Sequence, residues 1–174
     1  MTIACIDVGY TESASDPTTA IAACVVINDW SDAAAVSEHV VDISNVHDYQ
    51  PGLFYLRKLP CIEAVLASLP TPPTFIVIDG YVWLDDHDHP GLGKYLYDAL
   101  NQAIPVIGVA KSPFKRSLHA HELCRGISTR PLYITSIGFP VTQAANHVAD
   151  MDGFHRFPSI LKKVDRLSRG EPTS

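Results

Sequence analysis

Residues 75–80 read FIVIDG. The four apolar residues are not interrupted by polar ones, so a strand here is buried on both faces. Such a strand belongs in the middle of a parallel sheet with helices covering both sides. IPVIGVAK at 104–111 carries a second run of this kind. Near the N-terminus, ACIDVG at 4–9 carries a third, closed like the first by an acid.

The surrounding elements complete the pattern. Residues 18–29 (TTAIAACVVIND) and 37–46 (SEHVVDISNV) read as strands joined by the turn residues DWSDAA, so the first three strands form an antiparallel meander. From Pro51 to Leu69 the apolar positions recur at helical spacing, with Pro51 suited to a first turn and Pro60 expected to kink the helix. Residues 91–102 read as a helix and 130–136 as a strand. Residues 142–151 and 158–168 read as closing helices. The order β-β-β-α-β-α-β-β-α-α predicts an α/β fold: a mixed sheet of three antiparallel strands and then parallel strands, with helices on both faces. This is the order of the ribonuclease H-like fold. Length predicts one domain over 1–169, with the polar GEPTS stretch at 170–174 as a disordered tail.

Composition bounds the function classes. The chain is 47% hydrophobic and 18% charged, an ordinary globular balance, and no apolar run reaches the roughly 20 residues of a membrane helix. The four cysteines form no CxxC pair, which argues against zinc or a disulfide framework, and the expected compartment is the cytoplasm. A net charge of −6 weighs against a nucleic-acid binder, although basic residues cluster at Arg57–Lys58, at Lys111 with Lys115–Arg116, and at 162–169.

In such sheets, sites form at the carboxyl ends of central strands. Asp7 and Asp79 close two of them. One acid of this kind is ordinarily a turn or helix cap. Two on adjacent strands repel unless they share a cation, and magnesium or manganese, held by a few carboxylates, water and phosphate oxygens, is the natural one. A metal so held activates water and stabilises a phosphodiester under attack. Lys111 ends a neighbouring strand, where it could stabilise developing negative charge. Asp165 in the last helix is either a surface acid or a further candidate metal ligand.

The segments IDVGY, PGLFYLRKLP, VIDG, His89–Pro90 with Gly93, PVIGVAK, PLYITSIG and FPSILKKVD, taken in order, resemble the endonuclease V family across residues 3–167. The resemblance implies a ribonuclease H-like fold and magnesium-dependent hydrolysis of a phosphodiester 3′ to inosine or another deaminated base in DNA or RNA, by a monomer. It implies metal-binding roles for Asp7 and Asp79, a catalytic role for Lys111, and an acid at Asp165. Tyr49 and Pro51 fall on the family's wedge loop; Gly52, Gly80 and His89 are implied on the substrate side.

The sequence departs from the family in four places. Lys58 stands where the family has its third catalytic glutamate. At about 5 Å and an effective dielectric near 20, a lysine–aspartate pair is worth roughly 3 kcal/mol, so Lys58 competes with a metal. Glu63 lies about 140° round the helix from it and is a poor replacement. The segment after Asp79 is longer, has Val82 for a second glycine, and carries Asp85, Asp86, His87, Asp88 and His89. That insert is either a polar surface loop or a source of the missing acid. The wedge keeps Tyr49 but loses an apolar residue and a proline, and Tyr97 replaces a histidine. Three functions stay open: a metal-dependent endonuclease with an altered site, a catalytically inactive nucleic-acid-binding or interaction protein, or a different small-molecule hydrolase reusing the aspartate pair. Lys58 either pairs with Asp7 and Asp79 or carries its charge out to a phosphate.

Overall fold

The computed structural model describes residues 1–114 and 120–172. Its elements are β1 (Ile3–Thr11), β2 (Thr19–Ile27), β3 (Ser37–Ile43), α1 (Tyr55–Ala67), β4 (Phe75–Asp79), α2 (Leu92–Ala99), β5 (Val106–Ala110), β6 (His121–Leu123), β7 (Leu132–Ile137), α3 (Val141–Asp150) and α4 (Ser159–Ser168). The sheet runs β3-β2-β1-β4-β5-β7-β6. β1, β2 and β3 form the expected antiparallel meander, and β1, β4 and β5 are mutually parallel neighbours.

Beyond β5 the sheet turns antiparallel again. β7 pairs antiparallel with β5, and β6, a three-residue strand not expected from the sequence, pairs antiparallel with β7. β6 has no fully buried residue, so it leaves no apolar run to read.

The helices cover both faces, as the doubly buried strands require. Ala4, Ile6, Val8 and the other residues of that face pack under Cys61, Ile62 and Val65 of α1 and Leu92 and Leu96 of α2. On the opposite face Ile3, Cys5, Val77 and Ile107 pack under Ala144 and Val148 of α3 and Ile160, Leu161 and Val164 of α4. Fully burying one such side chain stabilises the fold by about 1.5–3 kcal/mol, so the two layers hold the central strands rigidly between them.

α1 starts later than the expected Pro51 and runs on through Pro60 without a break. Pro60 lies on the exposed side, and the carbonyl it leaves unpaired belongs to Leu56, itself exposed, so water can satisfy it. In the expected tail, the Glu171 amide donates to the Arg166 carbonyl at 3.0 Å and Arg166 pairs with the Glu171 carboxylate at 3.2 Å, so Gly170–Glu171 fold back on α4. Residues 173–174 lie outside the described residues, as does the expected basic pair Lys115–Arg116. Among the described residues no helix is long and apolar enough to cross a membrane.

The turn after β4 is tied back to the sheet. The Val82 amide donates to Thr135 Oγ1 on β7 at 2.9 Å, and the Gly80 amide to the Val109 carbonyl at 3.2 Å. Thr135 is fully buried. Thr135→Val keeps the shape and orphans the Val82 amide, with an expected cost of about 1–3 kcal/mol in chemical unfolding and faster amide exchange at Val82.

Candidate active site

Parallel register brings the two strand-end acids together. Ile6 faces Ile78 across the β1–β4 pair, so Asp7 and Asp79 emerge side by side. Asp7 is 5% exposed. Its Oδ1 accepts the Val8 amide at 2.8 Å and lies 3.4 Å from Lys58 Nζ. Lys58, 8% exposed on α1, also donates to the Asp79 carbonyl at 3.0 Å. Burial pushes the Asp7 carboxyl above its ordinary value; Lys58 opposes that, while Asp79 and Asp165 add to it. The lysine that α1 carries therefore reaches inward and rests between the Asp7 carboxylate and the Asp79 backbone carbonyl.

On the α4 side the pair meets apolar atoms. Ile6, Ile78, Val109, Phe157, Leu161 and Val164 close a void of about 10 Å³ against Asp7 and Asp79. That is roughly the room of one water. Lys111 is exposed at the end of β5, its ammonium 4.2 Å above the Phe157 ring, so it stands outside the same wall. The Asp165 carboxylate accepts from Arg169, one turn on.

This donor set does not fit a divalent metal while Lys58 stands where it does. Magnesium needs six near-ideal oxygen positions at about 2.0–2.1 Å. The ammonium takes up one side of Asp7 and apolar side chains take the other. Among the described residues no group of three or more His, Cys, Asp or Glu side chains converges to share an ion. Glu63 is on the exposed face of α1, as its helical angle predicted.

A larger space opens next to the acids. A cavity of about 670 Å³ is walled by Tyr10, Tyr49, Phe54, Tyr55, Tyr81, Tyr95 and Phe114, with Gly52 and Gly80 among its lining. Gly52 has φ 79° and Gly80 φ 143°, conformations that side chains disfavour; a Cβ on Gly52 would meet nothing within 4 Å. Backbone is thus bare to the cavity at both places. Tyr55 and Tyr95 stack at 3.7 Å, and the Arg57 guanidinium lies 3.8 Å over the Tyr10 ring while pairing with Glu12 at 2.5 Å. Tyr49 is 62% exposed at the rim, with Pro51 exposed next to Gly52. Sequence reading missed Tyr10, Glu12, Arg57 and the other rings. The signal was there in GYTE, FYLR, DGY and YLY, aromatic residues placed near strand ends or on one helix face.

The insert closes on itself. Trp83 bridges to Pro90, the Leu84 amide donates to the His89 carbonyl at 2.9 Å, and Leu84 and Pro90 form cavity wall. Asp85 accepts the His87 and His89 amides at 2.9 and 3.4 Å and His89 Nδ1 at 2.6 Å, so this acid supports its own loop rather than the Asp7–Asp79 pair. His89 faces Asp85. Val82, where a bare glycine was expected, is fully buried against Gly93.

The bond from His89, followed by the two amides, holds the Asp85 carboxyl down to about 2. A depressed folded-state value means the stabilisation is complete above the ordinary carboxylate range and lost as pH falls through about 2. Amide exchange at His87 and His89 is therefore expected to stay slow from neutral pH down to about pH 3. Asp85→Ala should lose that protection at every pH; fast exchange in the wild type already at neutral pH would show that the loop is not closed this way.

Comparison with known proteins agrees with this fold. Residues 1–160 match the family model for Endonuclease V. Curated Endonuclease V proteins from Streptomyces coelicolor and Streptomyces avermitilis are each 30% identical over 188 aligned residues, covering 94% of this chain and 76% and 77% of theirs. The crystal structure of Endonuclease V from Streptomyces avermitilis is 25% identical with a TM-score of 0.74, covering 98% of this chain and 80% of that one. Endonuclease V from Ciona intestinalis, solved in complex with a 24mer DNA containing an inosine followed by a ribo-adenosine, shares the fold at a TM-score of 0.81 and 17% identity, covering 97% and 84%.

Proposed function

This chain belongs to the endonuclease V family, and from that premise we propose that it recognises a deaminated, inosine-type base in DNA or RNA. The base turns out of its strand into the aromatic cavity, and the backbone that follows runs past Asp7, Asp79 and Lys111. The observation that carries this reading is the cavity of about 670 Å³ with its tyrosine and phenylalanine walls. A nucleobase offers a π face to such rings, worth about 1–3 kcal/mol per stacked base. Its polar edge needs donors and acceptors, which the bare backbone at Gly52 provides. With a net charge of −6, phosphate attraction is weak, so the base pocket carries a larger share of binding.

Binding without cutting is the reading that Lys58 favours, because its ammonium rests 3.4 Å from Asp7. The second reading is hydrolysis of a phosphodiester 3′ to the base, favoured by Asp7, Asp79 and Lys111 being present together. In that reading Asp7 and Asp79 orient water and Lys111 steadies the phosphate.

Fluorescence anisotropy with labelled single-stranded DNA and RNA tests the proposal. Strands with one inosine are expected to bind more tightly than guanine controls, with EDTA present. Tyr49→Ala should weaken that binding about 5- to 150-fold, the stacking of one base. Equal affinity for inosine and guanine strands would refute it. Incubating the same strands with Mg²⁺ or Mn²⁺ separates the two readings: product that vanishes in Asp79→Asn establishes the second.

A further inference from the structure

We propose that Lys58 is a built-in cation, held against the Asp7 carboxylate and the Asp79 backbone carbonyl in the place a divalent metal would need, so that the native chain holds its acid pair without metal. This deepens the reading above by naming what occupies the acids, but it stands on side-chain geometry and is tested without nucleic acid.

Three observations carry it. First, the lysine is directed inward. Lys58 shares the buried face of α1 with Cys61, Ile62 and Val65; its side chain is 10% exposed, and its ammonium reaches Asp7 Oδ1 at 3.4 Å and the Asp79 backbone carbonyl at 3.0 Å. A solvated lysine would extend to water instead, since burying an ammonium is costly unless it is paired. Second, the site is closed on its far side. The void of about 10 Å³ beneath Phe157, Leu161 and Val164 has the room of one water. Third, the nearby charges are already matched without Lys58. Arg57 pairs with Glu12, Asp165 with Arg169, and Lys111 lies on the Phe157 ring. The Asp7–Asp79 pair is the remaining anionic group of the site, and Lys58 is the cation set against it.

The physical consequence is a competition. An ammonium tethered to α1 acts at a very high effective concentration and never diffuses away, so a metal must expel it and leave it buried without a partner. Removing the ammonium reverses the balance: two close carboxylates then have to find a cation from solution or share a proton.

The experiment follows thermal unfolding and the electron paramagnetic resonance of free Mn²⁺, with protein first stripped by EDTA. For the native chain, millimolar MnCl₂ is expected to leave both the melting temperature and the free-ion signal unchanged. Lys58→Glu should bind Mn²⁺, removing free-ion signal and raising its melting temperature by about 5–10 °C at metal a hundredfold above Kd. Lys58→Met keeps the apolar stem without the charge, so it should melt below the native chain in EDTA and recover with Mn²⁺. Adding Asp79→Asn to either variant should abolish the gain. A Mn²⁺-dependent rise in the native chain that Asp7→Asn removes would overturn the proposal. So would failure of both Lys58 variants to take up Mn²⁺. Neither result bears on whether the aromatic cavity binds a base.

Discussion

Two carboxylates side by side repel unless they share a cation or a proton, and the parallel pairing of β1 with β4 leaves this chain no way to separate them. Register places Asp7 next to Asp79 as surely as it places Ile6 opposite Ile78. Everything around the pair can be understood as a response to that charge. α1 lays Lys58 against it, the Val8 amide adds a hydrogen bond, and Leu161 and Val164 of α4, with Phe157 just before that helix, seal the other side. The same helix that supplies the lysine supplies Arg57 to the cavity, where Glu12 and the Tyr10 ring hold it. One helix thus sets the charge of the acid pair and shapes the wall of the pocket next to it.

The pocket and the acids are coupled through the turn that follows β4. Gly80 belongs to the cavity lining and directly follows Asp79. Val82 then enters the core, its amide fastened to Thr135, while Tyr81 lines the cavity and donates its hydroxyl to the Ser112 carbonyl at 2.6 Å. A shift in this turn would move the acid, the bare backbone and an aromatic wall together. The insert extends the wall and is braced internally by Asp85, which explains how a loop rich in acids can border an acid pair without joining it.

Much of this was legible in the sequence, and the reasons are physical. Uninterrupted apolar runs ending in acids could only be central strands, so the sheet, its parallel middle and the neighbouring positions of Asp7 and Asp79 followed. The antiparallel edge did not, because β6 is short and lacks the buried alternation that marks a strand. Pro60 was expected to kink α1; the helix runs on because its cost falls on the solvent side. The direction of Lys58 could not be read, since a long stem reaches inward or outward equally well and only the packed site decides. Glu12 and Arg57 are 45 residues apart in the chain, so their pairing depends on tertiary structure alone.

The central claim is that an ammonium, rather than a metal, sits against the acid pair of the native chain. The most direct test is a crystal structure grown with MnCl₂ and phased for manganese anomalous scattering. The account predicts no manganese peak at Asp7 or Asp79 and Lys58 Nζ within hydrogen-bonding distance of the Asp79 carbonyl. A manganese ion bridging the two carboxylates, with Lys58 swung out toward the cavity, would contradict it.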